Sequence, residues 1–143
     1  MAKASMKLPN EFLEKISRLG NKTDEIVPRV LQAGAEVVEA KVRSNLQSAI
    51  GSGTAGESRS TGELVDSLGI SPAKVDKNGN HDIKVGFREP RKDGSSNAMV
   101  ANILEHGSSK QPARPFLRPA RTATRKPAIE AMTAHLEKEL QNV

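Results

Sequence analysis

The sequence predicts an α+β fold: a small antiparallel β-sheet packed by a long helix in the N-terminal half and a C-terminal helix, with long polar loops. Three observations carry this expectation. Apolar residues keep helical spacing over about 26 residues up to Ala49. The period then switches to two between Asp82 and Phe87, after a strong turn sequence. Helical spacing returns once the chain has passed a cluster of prolines. At 143 residues the chain is read as a single domain spanning 1–143.

In chain order, residues 1–7 (MAKASMK) read as a frayed terminus. Pro9 and Asn10 open a short helix with Phe12, Leu13, Ile16 and Leu19 on one face and Gly20 as its stop. Thr23 or Asp24 is placed to cap the long helix, and Pro28 is early enough in it to be tolerated. Val27, Val30, Leu31, Val38, Val42, Leu46 and Ala49 form its apolar stripe, with Arg29, Glu36, Glu39, Lys41 and Arg43 opposite. At ~39 Å it is longer than so small a domain is wide, which predicts a helix that overhangs its own core and finds another surface.

Residues 51–62 (GSGTAGESRSTG) carry no apolar anchor and read as a mobile loop. Gly51, Gly53 and Gly56 match G-x-G-x-x-G, but they follow a helix and run into polar residues. A dinucleotide fingerprint follows a strand and opens a helix. Leu64, Val65 and Leu68 either close a helical turn or lead into a strand through Ile70, Ala73 and Val75. Asp76-Lys-Asn-Gly-Asn80 is a hairpin turn, and Ile83, Val85 and Phe87 alternate with polar neighbours in the returning strand. Residues 88–97 (REPRKDGSSN) form a second polar loop, expected to be mobile. Asn97 can cap a short helix through Leu104 that Gly107 terminates. Three prolines keep 108–120 irregular. Pro119 or Pro127 then starts the last helix, with Ile129, Met132, Leu136 and Leu140 inward.

Composition excludes much. Leu, Ile, Val and Phe make up about a fifth of the chain, near the level of roughly 20% below which chains tend to disorder. The absence of Cys removes disulfide frameworks, zinc–thiolate sites and cysteine nucleophiles. With neither Trp nor Tyr and only three Phe, there are too few rings for both a core and a base-stacking platform. No apolar run approaches the ~18 residues of a membrane span, and no signal peptide is evident, so a soluble protein made in the cytoplasm is expected.

Lys and Arg outnumber Asp and Glu by 22 to 17, a net charge of +5. The excess gathers in one stretch, Lys110, Arg114, Arg118, Arg121, Arg125 and Lys126, with no acidic residue among them. Such a stretch is either a solvated face or a surface turned toward DNA or an acidic partner. The histidines, His81, His106 and His135, do not sit at metal-ligand spacing. Glu105 and His106 are adjacent and diverge on a helix. No serine has a nucleophile-elbow context, and there is no Walker lysine. No catalytic, metal or cofactor residue is therefore assigned, and the chain is read as a non-enzyme.

Three segments resemble a known family. Ser60-Thr-Gly-Glu-Leu-Val-Asp-Ser67 is similar to the T-G-x-L-x-x-S element of tail components of long-tailed phages. Val100-Ala-Asn-Ile-Leu-Glu-His-Gly-Ser108 is similar to that family's A-x-x-x-E-x-G-T stretch. Pro115-Phe-Leu-Arg-Pro-Ala120 matches its P-F-x-R-P-A signature, the most specific of the three. The family is the gene-product-ten-like group of the Hong Kong 97 phage, and the likeness is expected from about Ala33 to Leu140. Ala98 stands near where relatives carry Tyr, and Ser108 replaces Thr.

The resemblance implies a tail-completion or head–tail joining protein in the neck of a virion, made in the bacterial cytoplasm. It would act by oligomeric assembly, as a ring of six around the DNA path. Its implied partners are further copies of itself, the tail terminator or tube and the head connector, with at most weak, non-specific DNA contact. No cofactor or membrane is implied. Thr61, Gly62, Leu64, Ser67, Glu105, Gly107, Pro115, Phe116, Arg118, Pro119 and Ala120 form the assembly and packing signature. Arg118 and Glu105 fall in matched elements, which implies an ion pair between them; the alternative is an Arg that solvates a turn. The rival reading is a small nucleic-acid-binding protein that uses residues 110–126.

Overall fold

A computed structural model describes residues 8–50, 62–110 and 112–141, the side chain of Asn21 excepted. The elements are helices α1 (Asn10–Ser17), α2 (Thr23–Ala49), α3 (Glu63–Ser67), α4 (Asn97–His106) and α5 (Leu117–Gln141), and strands β1 (Leu68–Ile70), β2 (Lys74–Val75), β3 (His81–Asp82) and β4 (Val85–Phe87). The architecture is α+β, as the spacing predicts. The frayed terminus, the G-x-G-x-x-G residues and Thr61 lie outside the described residues.

Helix α2 begins where expected but not by the expected cap. A short 3-10 turn, Gly20–Lys22, runs directly into it and leaves Thr23 as its first residue. The Thr23 hydroxyl therefore donates back to the Gly20 carbonyl at 2.7 Å and is not a cap acceptor. Asp24 and Glu25 in the first turn complement the positive helix end.

The 27-residue α2 does not overhang. The 25-residue α5 lies antiparallel along it: Arg29 faces Glu139 at 3.5 Å at one end, and the Asn45 amide donates to the Phe116 carbonyl at 3.2 Å at the other. Side chains of α2 are buried from Ile26 to Ala49. Two apolar clusters are strung along this pair. One gathers Phe12, Leu19, Ile26, Val27, Val30, Met132 and Leu136, so α1 closes that end. Leu13 departs from the expected inward face and is half-exposed, because α1 buries only the side that meets α2 and α5. The second cluster gathers Val42, Leu46, Leu64, Leu68, Phe87, Leu104 and Phe116 among others, and α3, α4 and the sheet enclose it.

The hairpin forms around the expected turn. Asp76 accepts the N–H groups of Asn78 and Asn80 at 2.8 and 2.9 Å, and Gly79 takes φ +83°. The returning strand is interrupted, however. Leu68, Gly69 and Ile70 pair with Phe87, Gly86 and Val85. After the break, Lys74 and Val75 pair with Asp82 and His81. Residues 71–73 therefore oppose only 83–84, a bulge that lets Pro72, which has no N–H, sit off the ladder. Ser71 bridges the gap: its N–H donates to the Lys84 carbonyl and its hydroxyl accepts the Lys84 N–H.

Helix α5 opens two residues before Pro119, which falls in the first turn, where the missing N–H is no loss. Pro127 is carried inside the helix. It leaves the Ala123 carbonyl without its i+4 donor, on a face where both residues are exposed to water. Among the described residues, no helix is long and apolar enough to cross a membrane.

Candidate functional site

The signature residues converge on the joint between α4 and α5. Gly107 ends α4 with φ +80°, and its N–H donates to the Ile103 carbonyl at 2.7 Å. A Cβ at this position would lie 2.7 Å from the Ala113 nitrogen, so only glycine lets the chain fold back on itself here. The Arg114 N–H closes the loop by donating to the Leu104 carbonyl at 2.7 Å.

Glu105, buried at the end of α4, reaches across this loop to the start of α5. One carboxylate oxygen accepts the N–H groups of Phe116 and Leu117 at 2.8 Å each, and the other accepts that of Arg118 at 3.0 Å. These are donors that a helix N-terminus leaves without intrahelical partners. A carboxylate at the C-terminal end of α4 is unfavourable for that helix. The same charge faces the positive end of α5, which offsets the cost. Burial opposes the charge, and the three N–H groups outweigh it, holding the Glu105 carboxyl below its ordinary value.

Phe116 follows directly and is fully buried, edge-on to Phe87 with ring centroids 6.1 Å apart and planes at 67°. Ala120, one turn further, is also fully buried. Pro115, Arg118 and Pro119 point outward. The expected ion pair is corrected: within the chain, Glu105 meets Arg118 through its backbone N–H, and the guanidinium faces solvent. The cause is local. Once Glu105 sits below the first turn of α5, its oxygens are taken by main-chain donors, and residue 118 projects from the opposite side of that turn.

The other signature element packs beside this joint. Gly62 stands at the N-cap of α3 with φ +79°, and Leu64 and Ser67 are buried. The Ser67 hydroxyl donates to the Leu64 carbonyl at 2.8 Å, and the Ser67 carbonyl accepts the Arg88 N–H at 2.8 Å. Arg43 of α2 donates to the Val65 and Leu68 carbonyls, which ties α3 and β1 to the long helix.

Segment 88–97, expected to be mobile, is held by a polar network. Glu89 accepts the N–H groups of Asn97 and Ala98 and the Ser96 hydroxyl, so it caps α4 much as Glu105 caps α5. These contacts hold its carboxyl below the ordinary value, the Ala98 bond foremost. The side-chain cap comes from Ser96, which accepts the Met99 N–H, and not from Asn97. Asn97 is instead buried. Its amide donates to the Arg88 carbonyl and accepts from Arg91, which also pairs with Glu63 at 3.3 Å. The serine–asparagine run signals a cap in the sequence. Glu89 and Arg91 carry no such signal, because their partners are brought to them only by the turn at 91–95.

Lys110, Arg121, Arg125 and Lys126 are exposed, and Arg114 is half-buried. The histidines are scattered: His81 lies 3.2 Å from Asp24, His135 lies 3.3 Å from Glu139, and His106 is exposed. Among the described residues, no group of three His, Asp or Glu side chains could hold a metal ion. With both Glu105 oxygens engaged by the backbone, the site is a mechanical joint.

Residues 10–107 match the protein family described as "Bacteriophage HK97-gp10, putative tail-component". The match begins earlier than the expected Ala33 and stops before Pro115–Ala120. It therefore spans α1 to α4 and the first two signature elements, Ser108 excepted. No curated protein and no solved structure matches the chain.

Proposed function

The chain belongs to the HK97-gp10-like family of phage tail components, and on that premise we propose that it is a structural protein of the neck of a long-tailed phage or prophage. It completes the tail and joins it to the head through assembly of several copies, with no reaction catalysed. The observation that carries this reading is the family match over 10–107. The geometry is consistent with it. Glu105 is spent on capping and Leu64, Ser67, Phe116 and Ala120 on close packing, and among the described residues the signature leaves no converging set of acid, base and nucleophile.

In this reading the partners are further copies of the chain, six to match tail symmetry, with the tail terminator and the head connector on either side. The joint at Glu105 fixes the start of α5 against α4, a rigid support of the kind that an assembling subunit needs. Electron microscopy of particles from a phage lacking the gene is the test. Separate filled heads and tails are expected, and complementation by the wild-type gene restores joining. Complete, joined particles without the protein would end this reading.

A further inference from the structure

The basic residues of α5 form one stripe. Arg118, Arg121 and Arg125 are three and four residues apart, so they share a face of the helix. Arg118 and Arg125 stand clear of the side that Ala120, Thr124 and Ala128 bury, and the exposed Arg121 stands at its edge, on the rim of a cavity that Gly34 and Ala35 of α2 also line. Among the described residues, no carboxylate lies within 4 Å of the guanidiniums of Arg114, Arg118, Arg121 or Arg125, and none of these groups donates a hydrogen bond. By contrast Arg29, Arg43 and Arg91 all pair with acidic side chains.

This arrangement works against the isolated chain. Like charges at such spacings repel along a helix, and Arg118 sits at the positive end of the α5 dipole. A surface that disfavours its own helix points to an anion supplied from outside.

We infer that the Arg118–Arg121–Arg125 stripe binds the phosphate backbone of duplex nucleic acid weakly and without sequence preference. Three features favour a duplex over an acidic protein or a single strand. Protein interfaces are anchored by buried apolar and aromatic side chains, and among the described residues the exposed large apolar ones, Leu13, Val75 and Met99, all lie off α5. The stripe's exposed neighbours are Pro119, Thr122, Ala123 and Lys126. Single strands are held by stacking on aromatic rings, and all three Phe are buried. Finally, from residue 118 to 125 the helix rises about 10 Å, a length over which a duplex presents about six phosphate charges.

The inference is argued from charge placement and does not depend on the neck role, so binding and particle assembly can fail separately. The test is fluorescence anisotropy of a labelled duplex of mixed sequence with the full chain, across a salt series from 50 mM. Three guanidinium contacts predict that log K falls with log salt at a slope of about −2.7. Arg118→Gln/Arg121→Gln/Arg125→Gln should weaken binding at least tenfold at 50 mM and flatten the slope by about 2.7. Its melting temperature should be equal or higher, which a structural role for these residues would not produce. Single Arg121→Gln and Arg125→Gln variants should each flatten the slope by about 0.9, which keeps the test open should the triple variant fail to fold. Undetectable wild-type binding at 50 mM, or unchanged binding by the variants, overturns the inference. So does polyglutamate displacing the duplex at equal charge, which would indicate an acidic protein, or tighter binding of single strands.

Discussion

Replacing Glu105 by alanine removes the acceptor of three main-chain N–H groups at the start of α5. The Phe116 N–H is enclosed with its fully buried ring, so water cannot replace the carboxylate there. A buried donor left without a partner costs about 1–3 kcal/mol. The other two donors are half-buried and recover part of their loss from solvent, and loss of an ordinary N-cap costs about 1 kcal/mol. Together these give about 3 kcal/mol, or roughly 10 °C in melting temperature for a domain of this size. Glu105→Gln keeps one acceptor oxygen and should lose about half as much. The chain has no Trp or Tyr, so urea unfolding is followed by far-UV circular dichroism.

The pH dependence makes the experiment specific. The folded-state pKa of Glu105 is lowered, so its charge stabilises the fold above the unfolded value. That contribution starts to fall below about pH 4.3 and is gone once the pH drops through the folded value. Protonated Glu105 resembles glutamine, so wild type should converge on Glu105→Gln in acid, while Glu105→Ala stays less stable than both. Comparing variants at each pH cancels the titration of the remaining carboxylates. A cost for Glu105→Ala below about 0.5 kcal/mol, beneath that of an ordinary cap, would refute the capping argument. So would a gap between wild type and Glu105→Gln that stays constant from pH 7 to pH 3.

Three further substitutions probe the same architecture by thermal and urea unfolding. Gly107→Ala should lose about 2–3 kcal/mol, because φ is +80° and the new Cβ meets the Ala113 nitrogen at 2.7 Å; an unchanged midpoint would mean that the loop does not close here. Phe116→Ala should lose about 4 kcal/mol, and a double-mutant cycle with Phe87→Ala should return a coupling of about 0.5–1.5 kcal/mol; additivity would place no energy in the ring contact. Gly34→Ala gains up to about 1 kcal/mol of helix propensity but puts a Cβ 2.6 Å from the Met132 side chain. It should therefore become stabilising only when Met132→Ala removes the overlap, and equal effects in both backgrounds would contradict that close approach.

Local chemistry was legible in the sequence where it decides the structure. The apolar stripe of α2 fixes that helix to Thr23–Ala49, and Asp76 and Gly79 specify the hairpin turn through their own side chain and backbone. What escaped depends on contacts between distant elements. Prolines mark helix starts locally and so point to Pro119 or Pro127 for the start of α5, whereas the acceptor that fixes it, Glu105, belongs to another helix. The Arg118–Glu105 ion pair is implied by the placing of both residues in matched family elements, which says nothing of the main-chain donors that have the prior claim on that carboxylate. The fastening of 88–97 by Glu89, Asn97 and Arg91 was invisible for the same reason: a Gly- and Ser-containing polar run looks the same whether or not its polar groups find partners. The expected overhang of α2 weighs its length against the width of a small domain, and the 25 residues of α5 running along its 27 remove it.

The low apolar content then has a geometric consequence. Phe12 serves one cluster and Phe87 and Phe116 the other, so the middle of the α2–α5 pair has no ring to fill it. Gly34, Ala35, Thr124 and Ala128 occupy that stretch instead, and with so little side chain the two helices must approach closely for any burial to result, as the Met132 contact on Gly34 shows. Each cluster sits at one end of the α2–α5 pair. The fold is therefore held by α2 and α5, which reach both clusters, and by the joints that fix the ends of α5 and of the sheet. In such a design the stabilising interactions that matter most are polar and main-chain, at Glu105, Glu89 and Arg43, because they set where the few large apolar side chains meet. If the neck role holds, copies bound to one another add stability that the thin core lacks, by mass action on the folded state. The melting temperature of the purified protein should then rise with its concentration over the range in which native mass spectrometry shows oligomers. A concentration-independent midpoint across that range would mean that each chain is complete without its neighbours.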